Sequence, residues 1–221
     1  MQLTVTIKWL DHAGFQIRSE SKVIYIDLAE EATPLEKADI ILITHSHGDH
    51  CDSKLIQKAR TDKTVVIAPA DCQTQISGTV LSLKPGEEKI VNEVKIHAVH
   101  AYNETRFRSP GNPFHPKGFG VGYIINLEGK TIYHSGDTDF ISEMKTLGPI
   151  DVAMLPIGGK YTMEVSDGAD AAFAIKAKYV IPHHHWAGRF GQTPEAFKQK
   201  VEASSDIQVI VLKANEEFQL T

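Results

Sequence analysis

The motif Thr44-His45-Ser46-His47-Gly48-Asp49-His50 constrains the fold and chemistry of this chain more than any other feature. It places three imidazoles and one carboxylate within six residues, directly after the apolar run of residues 40–43. A buried strand that ends in so many ligating groups is costly to fold unless positive charge binds there. The motif therefore predicts a site for divalent metal ions at a strand end, with further ligands supplied from elsewhere in the chain.

Composition sets the class of protein. The 221 residues are 42% hydrophobic and 23% charged, which is typical of a soluble globular protein, and we expect residues 1–221 to form a single domain. The net charge of −5 argues against a general nucleic-acid binder. Two cysteines imply no disulfide framework, and neither a signal peptide nor a membrane span is expected. The sequence thus predicts a cytoplasmic protein without a membrane partner, and it leaves open whether copies associate into a homo-oligomer.

The pattern of apolar residues predicts two packed β-sheets with helices outside. Each half of the chain begins with a hairpin and continues in strand–helix units whose strands end in polar residues. The predicted strands are residues 4–9, 14–18, 22–26, 40–44, 65–68, 95–100, 120–126, 130–133, 152–155, 179–181, 207–212 and 217–220. The predicted helices are residues 52–60, a short one after Asp71, residues 139–147 and 167–177, and one that opens at Thr193-Pro194.

Residues 102–118 show no periodicity and predict a long loop, which we call the flap. A cationic, aromatic flap beside a metal site would suit an anionic small-molecule substrate, whereas the alternative is a solvated surface loop. The candidate substrate-binding residues of the flap are Arg106, Arg108, His115 and Lys117, with Lys160, Trp186 and Arg189 as further candidates from other loops.

The spacing of the motif divides its ligands between two ions. In an extended segment His45 and His47 project to the same side and can bind one ion. Asp49 and His50 follow Gly48, which permits a tight turn toward a second ion.

The missing ligands must come from other strand ends. His100, or its strand neighbour His97, can complete the first site. Asp137 can bridge both ions, and one histidine of the run 183–185 can complete the second site. Histidine and carboxylate suit zinc, but Mn²⁺, Fe²⁺ and Ni²⁺ remain open, so the sequence predicts two divalent ions, with Zn²⁺ first.

These ligands resemble those of the metallo-β-lactamase fold superfamily. The segments Trp9-Leu10-Asp11-His12-Ala13, Leu155-Pro156-Ile157-Gly158 and Tyr161-Thr162-Met163 are similar to those of its small metal-dependent hydrolases, the branch that includes L-ascorbate-6-phosphate lactonase. Residues 24–27, 133–138 and 182–184 extend the likeness over nearly the whole chain. The resemblance implies an α/β fold, a four-layer αββα sandwich of two mixed sheets, and it selects His184 as the late ligand.

A dinuclear pair would lower the pKa of a shared water and supply hydroxide, which would cleave an ester, a lactone or a phosphodiester. Asp137 would hold the ions together, and Asp49 could also carry a proton, so both are predicted catalytic residues. The residues expected behind the ligands are Asp27, His12 and His134.

Two other functions remain open at this stage. A nuclease of the same superfamily is disfavoured by the acidic charge balance and by the lack of an added RNA-binding arm. A non-hydrolytic redox or metal-binding protein is disfavoured by His47, because di-iron flavoprotein relatives usually carry Glu there. We therefore expect a hydrolase.

Overall fold

The computed structural model describes residues 4–29, 35–186 and 190–220 and contains two large mixed sheets with helices on their outer faces. The strands are β1 (Val5–Asp11), β2 (Gly14–Arg18), β3 (Val23–Ile26), β4 (Ile40–Leu42), β5 (Val65–Ile67), β6 (Glu88–Val91), β7 (Val94–Ala101), β8 (Phe107–Ser109), β9 (Asn112–Pro113), β10 (Gly120–Leu127), β11 (Lys130–His134), β12 (Val152–Pro156), β13 (Tyr179–His183), β14 (Gln208–Val209) and β15 (Glu217–Leu220).

The helices are short and begin at polar caps. They are α1 (Ser53–Ala59), α2 (Val165–Ile175) and α3 (Pro194–Glu202), with 3₁₀ turns at Ala70–Thr74 and Ser142–Thr146. The Asp52 side chain accepts hydrogen bonds from the amides of Lys54 and Leu55, as the predicted cap requires. None of the helices in the described ranges is long and apolar enough to cross a membrane.

The strand order brings the chain's two halves face to face. The first sheet has the order β15-β1-β2-β3-β4-β5 and the second β14-β13-β12-β11-β10-β7-β6, while β8 and β9 form a separate hairpin. Both large sheets are mixed, because β3, β4 and β5 are parallel in one and β11 to β14 are parallel in the other. This arrangement confirms the predicted pair of mixed sheets.

Three buried clusters account for the four layers. The largest lies between the sheets and joins residues such as Phe15 and Ile26 of the first to Tyr123 and Val152 of the second. A second cluster packs α2 and α3 on the outer face of the second sheet, and a third packs α1 on the outer face of the first. Burial of these apolar faces is the main stabilising term, and it confirms the predicted αββα layering.

Several segments differ from the sequence-based prediction. The pattern missed β6, and of the predicted strand at residues 207–212 only Gln208–Val209 pairs in the sheet. Residues 139–147 do not form a regular helix, because the carboxylate of Asp139 accepts hydrogen bonds from the amides of Glu104 and Thr105 (2.8 and 2.7 Å), and only the 3₁₀ turn at Ser142–Thr146 follows. The flap contains the hairpin of β8 and β9, which the sequence pattern did not predict.

Candidate metal centre

The motif after β4 folds into a turn that gathers its own ligands. The amides of His50 and Cys51 both donate to the carbonyl of His47 at 3.0 Å, so the chain reverses at Gly48. As a result His45 and His47 lie on one side, with Nε2 of His45 3.0 Å from Nδ1 of His47.

Three groups of ligating atoms meet here. In each group the atoms lie within 4.8 Å of one another, the spacing at which one ion can be shared. The groups are His45, His47 and His115; His12, Asp49, His50 and His184; and His45, His50 and Asp137.

Asp137 lies where the groups meet. One carboxylate oxygen, Oδ2, is 3.3 Å from Nε2 of His115 and 3.2 Å from Nε2 of His184, while Oδ1 is 3.5 Å from Nε2 of His50. The preceding Gly136 has φ +64°, and a Cβ there would be 2.7 Å from the carbonyl oxygen of Val121. Glycine thus allows the chain after β11 to turn Asp137 into the cluster.

Asp27 and His12 support the cluster from behind. The carboxylate of Asp27 accepts hydrogen bonds from the amide and hydroxyl of Thr44 (2.8 and 2.7 Å), and its Oδ2 is 2.8 Å from Nδ1 of His50. His12 places Nε2 3.2 Å from Oδ2 of Asp49. Asp27 thus contacts His50 from outside the three groups, whereas His12 is itself a member of the group that contains Asp49.

Most of the imidazoles in the cluster have lowered pKa values, which favours the neutral form that binds metal ions. Burial lowers the pKa of His45 well below its usual value and lowers those of His47 and His184. Burial also disfavours charge on His50, but the carboxylates of Asp137 and Asp27 outweigh it and raise the pKa of His50 well above its usual value. Burial works against the charge of Asp137, yet the neighbouring histidines His184, His50 and His115 hold its pKa well below the usual range.

The structure brings His115, and not His100, beside His45 and His47. His100 lies at the end of β7 outside all three groups, with its ring edge-on to Tyr102 at 6.1 Å, and its Nδ1 has no hydrogen-bond partner among the described residues. His115 takes the third position beside His45 and His47 because the flap folds back over the motif. Asn103 holds His115 in this position. The Oδ1 atom of Asn103 accepts a hydrogen bond from the amide of His115 at 2.8 Å and lies 2.8 Å from Nδ1 of the His115 ring.

His134 supports the backbone rather than reaching the cluster. Its Nε2 donates to the carbonyl of Ala13 at 3.0 Å, and its Nδ1 accepts from the amide of Gly136 at 3.1 Å. One ring nitrogen therefore fixes the turn that carries Asp137, and the other ties the end of β11 to the connection between β1 and β2.

The flap cations have different surroundings from one another. Arg106 forms ion pairs with Asp139 and Asp167, and Lys117 pairs with Glu143 at 2.9 Å, so both are engaged away from the metal ligands. Arg108 alone among the flap's lysines and arginines lines the pocket over the cluster, with Nη2 3.2 Å from Nε2 of His47. Arg189 lies outside the described residues.

The pocket has a volume of about 510 Å³, within the range of small-molecule sites. Its walls combine the candidate ligands His47, Asp49, His115, Asp137 and His184 with Arg108 and the rings of Phe114, Tyr161 and Trp186.

The residues present fit divalent cations. Nε2 of His50, Oδ1 of Asp137 and both ring nitrogens of His184 are buried, and none has a well-formed hydrogen bond to a described residue. Buried polar atoms are normally satisfied, so such a convergent set is best explained by ligation of metal.

Comparison with known proteins agrees with this fit. Residues 6–184 match the family model of the β-lactamase superfamily domain. A UPF0173 metal-dependent hydrolase of Pelotomaculum thermopropionicum is 32% identical over an alignment of 228 positions, which spans 97% of this chain and 99% of that relative.

Solved structures support the same assignment. A protein of Parabacteroides distasonis superposes with a TM-score of 0.83 at 37% identity, over 94% of this chain and 92% of that one. Igni18, a metallo hydrolase from Ignicoccus hospitalis, superposes with a TM-score of 0.81 at 25% identity, over 99% of both chains. Sequence, fold and metal-ligating cluster agree that this chain belongs to the β-lactamase superfamily and, within it, to the UPF0173 metal-dependent hydrolases.

Proposed function

We propose that this metal-dependent hydrolase holds two divalent cations and cleaves an ester, a lactone or a phosphodiester of a small anionic substrate. The observation that carries the proposal is the position of Asp137, whose carboxylate is within 3.5 Å of His115, His50 and His184. A carboxylate between two sets of ligands is suited to bridge two ions.

The proposed ligands divide between the ions around Asp137. His45, His47 and His115 would hold the first ion, and Asp49, His50 and His184 the second. His12 belongs to the same group as the second set, and its Nε2 lies 3.2 Å from Oδ2 of Asp49, so it would support that ligand from behind. Zinc suits this donor set best, with Mn²⁺, Fe²⁺ and Ni²⁺ as alternatives. When bound, such a pair acidifies a water molecule and polarises the carbonyl or phosphoryl oxygen under attack.

Asp49 is the proposed proton carrier. Burial opposes its charge, but the hydrogen bond from His12 helps to lower the pKa of Asp49, so the carboxylate is ionised and its place in the pocket, not a raised basicity, suits it to this role. Its side chain is 45% exposed and lines the pocket, where it can accept a proton from the attacking water and return it to the leaving group.

Arg108 is the proposed anion-binding residue. Its guanidinium lines the pocket and lies over the ring of Phe114 at 5.6 Å, which orients it without neutralising its charge. A carboxylate or phosphate of the substrate could therefore bind it through two parallel hydrogen bonds.

Hydrolysis of a chromogenic phosphodiester and of a simple lactone by zinc-loaded protein tests the proposal. We expect turnover of at least one substrate, dependent on metal and lost in Asp137→Asn, and the substrate that reacts identifies phosphorus or carbonyl as the electrophile. Metal-loaded protein that turns over neither these nor a broader panel of anionic esters would contradict the proposed chemistry.

Arg108→Ala should raise KM for an anionic substrate by about tenfold to a hundredfold, the value of one lost charge-assisted hydrogen-bonded contact. The KM for a neutral ester should change little. Steady-state kinetics on a matched pair of charged and neutral esters measures this, and Lys117→Ala is the control because Lys117 pairs with Glu143. An equal rise in KM for the charged and the neutral ester would show that Arg108 does not recognise the charge of the substrate.

Metal binding near neutral pH should release a proton from His50, because its pKa is raised in the metal-free protein. His50 keeps its proton until the pH exceeds this raised pKa, so metal affinity rises with pH up to that point. Asp27→Asn removes one of the carboxylates that raise the pKa and should reduce proton release, while weakening metal binding about tenfold to a hundredfold. Calorimetry in buffers of different ionisation enthalpy measures both, and unchanged proton release in the variant would exclude this role of Asp27.

A further inference from the structure

A second cavity adjoins the metal centre and has a volume of about 890 Å³, larger than the pocket over the ligands. It lies between the turn from β1 to β2, the end of β13, the start of α3 and the segment that leads into β15. The two cavities share Trp186, and none of the predicted metal ligands lines the second one.

The cavity has a rigid aromatic wall. Trp9 is buried, its Nε1 donates to the carbonyl of His12 at 3.1 Å, and its ring is 5.2 Å from that of His185. On the other side Trp186 packs against His12 at 5.1 Å.

His185 has unused hydrogen-bonding capacity in this wall. It is only 9% exposed and lines the cavity, yet its Nδ1 has no hydrogen-bond partner among the described residues. This nitrogen is shielded from solvent, so His185 contributes its ring to the aromatic wall and not a polar group to the cavity.

The rim of the cavity is acidic. Asp11, Glu195 and Glu216 are exposed along it, and Lys213 is the one lysine or arginine among its described lining residues. None of the three carboxylates forms an ion pair with any residue in the described part of the chain. With three carboxylates and one lysine, the described rim carries a net negative charge.

We propose that this second cavity is a ligand site for a small amine, whose apolar body packs against Trp9 and Trp186 and whose ammonium faces Glu195 and Glu216. Tryptophan faces attract cations, and carboxylates at the rim add to that attraction. Because Trp186 and His12 belong to both the cavity and the surroundings of the metal ligands, the amine binds beside the metal centre without occupying it. This site does not depend on which bond the enzyme hydrolyses.

Intrinsic fluorescence tests the site, since the chain has two tryptophans and both line the cavity. The probes are cyclohexylmethylamine and its neutral counterpart cyclohexylmethanol, titrated into the protein at pH 7.5. The amine should give a saturable change in emission and bind at least about fivefold more tightly than the alcohol, as expected for a cation–π contact with nearby carboxylates. Trp186→Phe leaves Trp9 as the single reporter, which lines this cavity but not the metal pocket.

Matched variants assign the charge effect. Glu195→Gln with Glu216→Gln should weaken amine binding about fivefold and leave alcohol binding unchanged. Glu20→Gln, in the turn between β2 and β3 and outside the cavity, should change neither. Equal affinity of the native protein for amine and alcohol, or no saturable change in its emission with the amine, would overturn the proposal.

Discussion

Asp137→Asn is expected to lower kcat by about 10³-fold or more while the protein stays folded. Asparagine keeps the shape of the side chain but removes the negative charge that the two proposed metal ions would share. The loss of a bridging anion from such a site costs several kcal/mol of stabilisation, which corresponds to a factor of this size. Steady-state kinetics, together with metal analysis of the purified variant, measures the effect.

The control for Asp137→Asn is Asp170→Asn, an exposed carboxylate on α2 that contacts none of the proposed ligands. It should retain activity within about twofold, as surface substitutions usually do. If Asp137→Asn kept both metal equivalents and more than a tenth of kcat, Asp137 would not be the shared ligand.

His115→Ala is expected to lose one of two metal equivalents and at least a hundredfold in activity. The reason is its position: Nε2 is 3.3 Å from Oδ2 of Asp137, and His115 belongs to the same group as His45 and His47. Removing one of three imidazoles leaves that ion too few ligands. Equilibrium dialysis against zinc with elemental analysis counts the bound ions.

His100→Ala is the matched comparison, because the sequence pattern favoured His100 for the same ligand position. It should keep both metal equivalents and stay within about threefold of native activity, since the ring packs against Tyr102. Thermal unfolding of both variants separates loss of metal from loss of fold. Metal loss in His100→Ala but not in His115→Ala would restore the ligand set that the strand-end argument suggested.

The local part of the site could be predicted from the sequence, because four of its ligating groups lie within six residues. Spacing alone places His45 and His47 together, and the glycine after them indicates the turn. Asp137 and His184 were also accessible, since each follows a strand end in a segment with family resemblance. Their side chains do meet the motif in the structure.

The flap could not be predicted in the same way. A strand-end rule favours His100, but the ligand position depends on how the flap folds back, and this is fixed by the contact of Asn103 with His115. The one sequence signal was His115 itself, between Phe114 and Pro116 in a segment without periodicity. The ion pairs of Arg106 could not be predicted from the sequence either, because its partners Asp139 and Asp167 lie 33 and 61 residues away in the chain.

The most direct test of a dinuclear centre is anomalous diffraction from crystals of the zinc-loaded protein. We predict two peaks about 3.5–4 Å apart, with the carboxylate of Asp137 between them. His45, His47 and His115 should ligate one ion and Asp49, His50 and His184 the other, at about 2.0–2.2 Å. A single peak, or an ion bound by His100 with His115 turned away, would contradict this account of the metal centre.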